Sequence, residues 1–173
     1  MKRKIVGAMV ALAAVLGGCA SKNYAPLETV AEVDLTRYVG QWYEIARYPN
    51  SFERDCMGAT AFYTAIEGAI EVKNSCFDTQ GAQISQSVGE ALIVEKSANT
   101  KLRVSFFWPF YGDYWVLMLD ENYRYAVVGE PSRKYFWILA RDKALLESEK
   151  EAILAKMPSL GYEPAKLFWN SYN

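Results

Sequence analysis

Eight short β-rich runs follow one another at 41–48, 58–66, 69–76, 83–95, 101–107, 114–120, 124–130 and 135–140, separated by turn residues. Most connections between them are about two to seven residues, hairpin length, whereas parallel crossovers need a dozen residues or more. The chain is therefore expected to form an all-β, eight-stranded antiparallel meander. Closing that meander into an up-and-down β-barrel removes the exposed edges that an open sheet would leave. Helical periodicity occurs near the C-terminus, where Ser148-Glu149-Lys150-Glu151 reads as a capping box and Ile153, Leu154 and Met157 share a face. One C-terminal α-helix is thus expected outside the barrel, ending near Pro158 and Gly161, with a final strand at Leu167-Phe168-Trp169.

The N-terminus is of a different kind. Met1-Lys2-Arg3-Lys4 precedes an apolar run from Ile5 to Leu16 and then Gly17-Gly18-Cys19. This is a secretory signal pattern, and its core is well short of the ~20 apolar residues a membrane span needs. The placement of Cys19 resembles the lipid-modified first residue of bacterial lipoproteins. That resemblance implies a signal peptide over 1–18 and a diacylglyceryl group on the Cys19 sulfur. With an amide-linked third chain, such a group would anchor the protein to a membrane without spanning it. Ala20 follows the cysteine, where lipoproteins retained in the inner membrane usually carry Asp. The resemblance therefore implies the outer membrane, with the barrel facing the periplasm. Residues 19–33 read as a lipid-anchored tether, proline-interrupted and aperiodic from Tyr24 to Val33. Fifteen extended residues reach roughly 50 Å at ~3.3 Å each. Residues 34–173 form the barrel unit with its helix and final strand.

Composition excludes several functions. Histidine is absent, so His-based triads and imidazole metal sites are unavailable. No metal or cofactor is expected. Losing Lys2, Arg3 and Lys4 takes the formal charge from −1 to about −4, and no basic run remains to bind nucleic acid. With Cys19 assigned to lipid, Cys56 and Cys76 remain, and beyond the signal peptide the compartment is oxidising, so they are expected to pair. If the Glu67-Gly68 turn joins 58–66 to 69–76, these two cysteines come within a bulge or register slip of opposition.

Gly40-Gln41-Trp42-Tyr43-Glu44-Ile45-Ala46-Arg47 resembles the Gly-x-Trp first-strand signature of the lipocalins, and Trp137-Ile138-Leu139-Ala140-Arg141 resembles their last-strand signature ending in arginine. The middle signature, Thr-Asp-Tyr, survives as Leu119-Asp120-Glu121. The resemblance covers essentially all of 34–170, and Phe106-Phe107-Trp108-Pro109-Phe110-Tyr111-Gly112 brings it nearest the lipid-attached bacterial outer-membrane lipocalins. Alternating strand directions bring Trp42 and Arg141 to the same, closed end, where a guanidinium over the indole would seal the barrel. The loops 49–57, 77–82, 108–113 and 131–134 then surround the mouth. Seven of the ten residues from Phe106 to Trp115 are aromatic, which fits either a core-packed loop or a greasy rim for lipid.

Period-two alternation from Trp42 and Trp137 places Glu44 and Ala46 inside, with Leu139 beside Trp137 and Tyr135. Phe106 follows Leu102 and Val104, and Tyr114 shares its face with Val116 and Met118. Tyr63, Asn74 and Ala91 complete the lining by resemblance to lipocalin pocket positions. An eight-stranded barrel can be filled by side chains or hold one small ligand. Small residues at Ala46 and Ala91 favour a cavity, and Glu44, Asn74 and tyrosine hydroxyls could meet a polar head group. The resemblance implies a carrier of fatty acid or lysophospholipid. A filled interaction module and, less favoured, a lipocalin-fold enzyme are the alternatives, and a second copy of the barrel is a further candidate partner.

Overall fold

The computed structural model describes residues 24–172. Strands β1 (Gly40–Arg47), β2 (Gly58–Ile66), β3 (Ala69–Phe77), β4 (Gln83–Ile93), β5 (Lys101–Phe107), β6 (Phe110–Leu119), β7 (Tyr125–Gly129) and β8 (Phe136–Ala140) pair in sequence order, and β1 pairs with both β2 and β8. The barrel is closed and antiparallel throughout. β6 begins four residues before its expected start, because Phe107 pairs with Phe110 and the β5–β6 hairpin is tight. Gly68, at φ +75°, turns the β2–β3 hairpin, whose register runs from Gly58↔Phe77 to Ile66↔Ala69. Glycine reaches that backbone region without a Cβ clash.

A short helix α1 (Leu35–Tyr38), not foreseen from the sequence, lies across the closed end. Its cap is Asp34, whose carboxylate accepts from the Thr36 N–H at 2.9 Å. Helix α2 (Glu147–Lys156) packs outside, as expected, but its cap is Leu146, two residues before the Ser148 of the capping-box reading. Glu149, rather than Glu151, folds back to accept the Leu146 N–H at 3.0 Å. Two 3₁₀ segments, Met157–Leu160 and Pro164–Lys166, follow, and β9 (Phe168–Trp169) pairs with the end of β1 beyond the point where β2 leaves it.

Residues 24–33 are not a free spacer. Leu27 and Val33 are buried, the Val30 N–H donates to Val116 O at 3.0 Å, and the Val33 N–H donates to Ala98 O at 3.0 Å. Apolar side chains at three-residue intervals, Leu27, Val30 and Val33, give this stretch enough surface to dock on the barrel. The spacer reading is thereby corrected for 24–33, while the signal peptide and Cys19 lie outside the described residues.

Two cores result. One fills the space between barrel and α2, built from Ile45, Tyr48, Val127, Phe136, Ile138, Ile153 and Met157. The other lies within the barrel, around Trp42, Tyr63, Val72, Leu102, Val116, Val128 and Leu139. Both faces of β1, β7 and β8 are consequently apolar.

Candidate ligand-binding site

The closed end is sealed as the signatures imply. The Arg141 guanidinium carbon lies 3.8 Å from the Trp42 ring centroid. Its Nη1 donates to Gln41 O at 2.7 Å and its Nη2 to Arg37 O at 2.6 Å. Trp42 is fully buried, and its Nε1 donates to Tyr38 O at 2.7 Å. Gly40 has φ +92°, and a Cβ there would lie 3.6 Å from Arg141 Nη1, so the glycine lets the backbone turn beneath the guanidinium. Asp120 closes the β6–β7 turn, accepting from the Asn122 N–H at 2.9 Å and from Arg124 Nη2 at 3.1 Å. These hydrogen bonds hold its carboxyl below the usual range. Gly40, Trp42, Asp120 and Arg141 thus all take part in the packing and hydrogen bonding of the closed end.

Above this floor, Tyr38, Tyr63, Ile70, Val72, Ala91, Leu102, Val104 and Tyr114 line a residual cavity of about 10 Å³, about the smallest space that holds one water, so side chains fill most of the lumen here. Three hydroxyls meet at its edge: Tyr114 Oη lies 2.8 Å from Tyr38 Oη and 3.0 Å from Tyr63 Oη. Burial raises all three phenols, Tyr63 to about 12, so the cluster stays neutral. The expected Tyr63, Ala91 and Tyr114 are brought together here. Tyr38, Ile70 and Val72 were missed. Alternation back from Asn74 along β3 could have found the latter two, whereas Tyr38 depends on the unforeseen α1.

Ala46 is not in the lumen. Cross-strand partners share a face, and β1 pairs Glu44↔Leu139 inside but Ala46↔Ile138 outside, with a bulge between them. The extra residue turns Ala46 into the core against α2 and turns Arg47 inward opposite Trp137. A second bulge between Val116 and Met118 moves Met118 to the outer core, although Tyr114 and Val116 stay inside as expected.

Arg47 changes the character of the mouth. It is buried, and its Nη1 donates to Glu44 Oε1 at 2.9 Å and to Asn170 Oδ1, while Nη2 donates to the carbonyls of Glu53 and Cys56 at 2.8 and 2.7 Å. Glu44 also accepts from Asn170 Nδ2 at 2.9 Å. The head-group candidate is therefore already held by protein partners. Burial, with the Glu53 carboxylate next to it, raises the Glu44 carboxyl above its ordinary range. Trp137 faces inward, half-buried, stacked 5.8 Å from Tyr135, with Nε1 donating to Glu53 Oε2 at 3.3 Å. Leu139 and Phe106 sit in or against the inner core. Asn74, paired with Ala61 and Ser87 on the lumen face, has a buried Oδ1 with no hydrogen-bond partner. Such an atom is costly unless something donates to it.

The Cys56–Cys76 disulfide forms, with Cα atoms 5.2 Å apart, and ties the 48–57 loop to β3 at the mouth. In the aromatic hairpin the two readings divide by residue. Phe106 packs inward, whereas Phe107, Trp108 and Phe110 are exposed.

A closed, eight-stranded up-and-down barrel with a sealed base, an apolar lumen and an external helix defines a lipocalin. Residues 33–172 match the lipocalin-like domain family, and the chain belongs to that family. The outer membrane lipoprotein Blc of Escherichia coli (strain K12) is 38% identical over 141 residues, covering 81% of this chain and 80% of that protein. Blc of Citrobacter freundii is 37% identical over 166 residues, covering 95% and 94%. Among solved structures, insecticyanin from the tobacco hornworm Manduca sexta superposes with a TM-score of 0.69 at 23% identity, covering 87% of each chain, a likeness of fold.

Proposed function

We propose that the protein is an envelope carrier for a single-chain amphiphile, a fatty acid or lysophospholipid, anchored to the outer membrane through lipid on Cys19 with its barrel on the periplasmic side. The family is one of binding and transport proteins rather than enzymes, and the similar Blc proteins are named as outer membrane lipoproteins. The observation that carries the reading is the apolar and aromatic lining above a sealed floor, formed by Tyr38, Tyr63, Val72, Ala91, Leu102 and Tyr114. An alkyl tail packs against it on leaving water. Burying ~300 Å² of apolar ligand surface at about 25 cal/mol per Å² gives roughly 7 kcal/mol before binding costs.

The cavity of about 10 Å³ is far below the roughly 300–1,000 Å³ of drug-sized ligand pockets, so the lining side chains must move aside to admit a ligand. A long chain displaces these side chains and extends past Phe106 toward the mouth, where Asn74 Oδ1, buried without a hydrogen-bond partner, can accept from a hydroxyl or ammonium donor and Trp137 supplies an apolar wall. Glu44, tied to Arg47, supports the wall rather than the ligand. Titration of delipidated protein with a long-chain fatty acid should perturb tryptophan emission saturably, and Trp137→Phe should diminish the response. Ala91→Phe, which puts a ring where the tail would lie, should weaken binding at least tenfold. Unaltered affinity in Ala91→Phe would contradict this placement of the tail.

A further inference from the structure

The described chain begins at the mouth. Arg133, in the loop between β7 and β8, lies 4.9 Å from the Tyr24 ring centroid, and its Nη2 donates to Ala25 O at 2.7 Å. From there residues 24–33 descend along the barrel to the closed end, where Val33 meets Ala98. Residues 1–23 therefore join the domain beside the opening. If Cys19 carries lipid, the five steps to Tyr24 span at most about 17 Å, which holds the opening close to the membrane.

The same end carries the most exposed aromatic side chains of the described residues. Phe107, Trp108 and Phe110 are 80%, 81% and 78% exposed, and the segment from Phe106 to Gly112 contains no charged residue. The neighbouring mouth loops differ in kind: Asp78 lies in one, Glu53, Arg54 and Asp55 in another, and Glu130, Arg133 and Lys134 in a third. The tip is an apolar finger among polar loops.

Beside this finger the pairing of β4 with β5 ends short of the mouth, although the barrel is closed. β4 pairs with β5 only from Glu90↔Ser105 to Ile93↔Leu102, and Gln83 to Val88 are exposed on both faces. At the end of the paired part, a Cβ on Gly89 would lie 2.3 Å from Ser105 O and 2.8 Å from the Phe106 ring. The glycine lets Phe106 lie across the seam, between the exposed tip and the inner apolar space.

We infer that the Phe107–Phe110 tip inserts into the interfacial layer of a lipid bilayer, with the mouth turned toward the lipid. Amphiphiles then exchange between bilayer and lumen through the β4–β5 seam past Phe106. Exposed aromatic side chains on a segment without charged residues suit the interface between head groups and acyl chains, and inserting Phe107, Trp108 and Phe110 breaks no ion pair. The tip and the start of the described chain act at one end, so anchor and finger reinforce a single orientation. The exchange step rests on the carrier reading, whereas docking does not.

The test uses the mature lipidated protein in phosphatidylethanolamine and phosphatidylglycerol vesicles with brominated acyl chains. Bromine should quench a fraction of the tryptophan emission, and Trp108→Phe should remove at least half of that quenched fraction. Equal quenching of both proteins, or none in either, overturns the docking. For exchange, the triple variant Phe107→Ser, Trp108→Ser, Phe110→Ser should release a prebound anthroyloxy fatty acid to vesicles at least tenfold more slowly, with equilibrium affinity within twofold. An unchanged release rate overturns the portal. Should the probe bind neither protein, the carrier reading and the exchange step fail together, while bromine quenching still decides docking.

Discussion

The two ends of the barrel are built on opposite physical terms. At the closed end, Trp42, Arg141 and Asp120 satisfy their polar atoms on neighbouring backbone groups, and the Trp42 ring packs against Tyr38 and the Arg141 guanidinium. At the mouth, strand pairing stops early between β4 and β5, the β1–β8 and β5–β6 ladders slip register, and aromatic rings stand in solvent. Satisfied and closely packed groups are concentrated at the base, and irregularity at the proposed ligand entrance. Substitutions at the base should consequently cost folding free energy and those at the tip should not.

The strongest challenge to this contrast is Trp42→Ala, which should destabilise by ~3–5 kcal/mol in equilibrium denaturation because it opens a large cavity beneath Arg141. A loss under 1 kcal/mol would mean that the base is not the stabilising end. Next comes the one strong tie at the mouth: Cys56→Ala with Cys76→Ala should cost about 3 kcal/mol for the ~20-residue loop in the chain-entropy model, with binding affected through the 48–57 loop. Arg141→Met should cost about 2 kcal/mol, through loss of the cation–π contact and of donors to buried carbonyls.

A smaller, pH-dependent effect is expected at Glu44. The folded carboxyl keeps its proton above the ordinary 4.5 because burial and Glu53 disfavour its charge. Above that pH the folded state holds more proton than the unfolded chain, so stability falls as pH rises toward the elevated folded value. The slope is at most about 1.4 kcal/mol per pH unit. Glu44→Gln should flatten it, as read from denaturation midpoints between pH 4 and 8. Smallest of all, Phe107→Ser and Phe110→Ser should change stability by less than ~0.5 kcal/mol, since both rings are in solvent. A larger loss would place the tip in the core and blur the distinction between the ends.

Part of the candidate site was legible in the chain because a strand has period two and an anchor residue fixes its phase, which gave Phe106, Tyr114, Trp137 and Leu139, while Tyr63, Asn74 and Ala91 came from the lipocalin resemblance. All seven face or border the lumen. Ala46 and Met118 do not, and no pattern could have said so. Alternation reveals a bulge only where one face is polar, and α2 makes the outer face of β1 and β8 as apolar as the inner one. Arg47, a charge at a strand end, reads as a solvated residue until the bulge turns it into the mouth.

The amino-acid order by itself determined the number of strands, their antiparallel order, the β2–β3 register and the pairing of Cys56 with Cys76, because each depends on local turn chemistry and short sequence separation. Tertiary structure decided which way Ala46, Arg47 and Met118 point, where α2 is capped, and that residues 24–33 lie against the barrel. These depend on surfaces that exist only after the sheet has closed, when elements distant in sequence compete to cover the same apolar area.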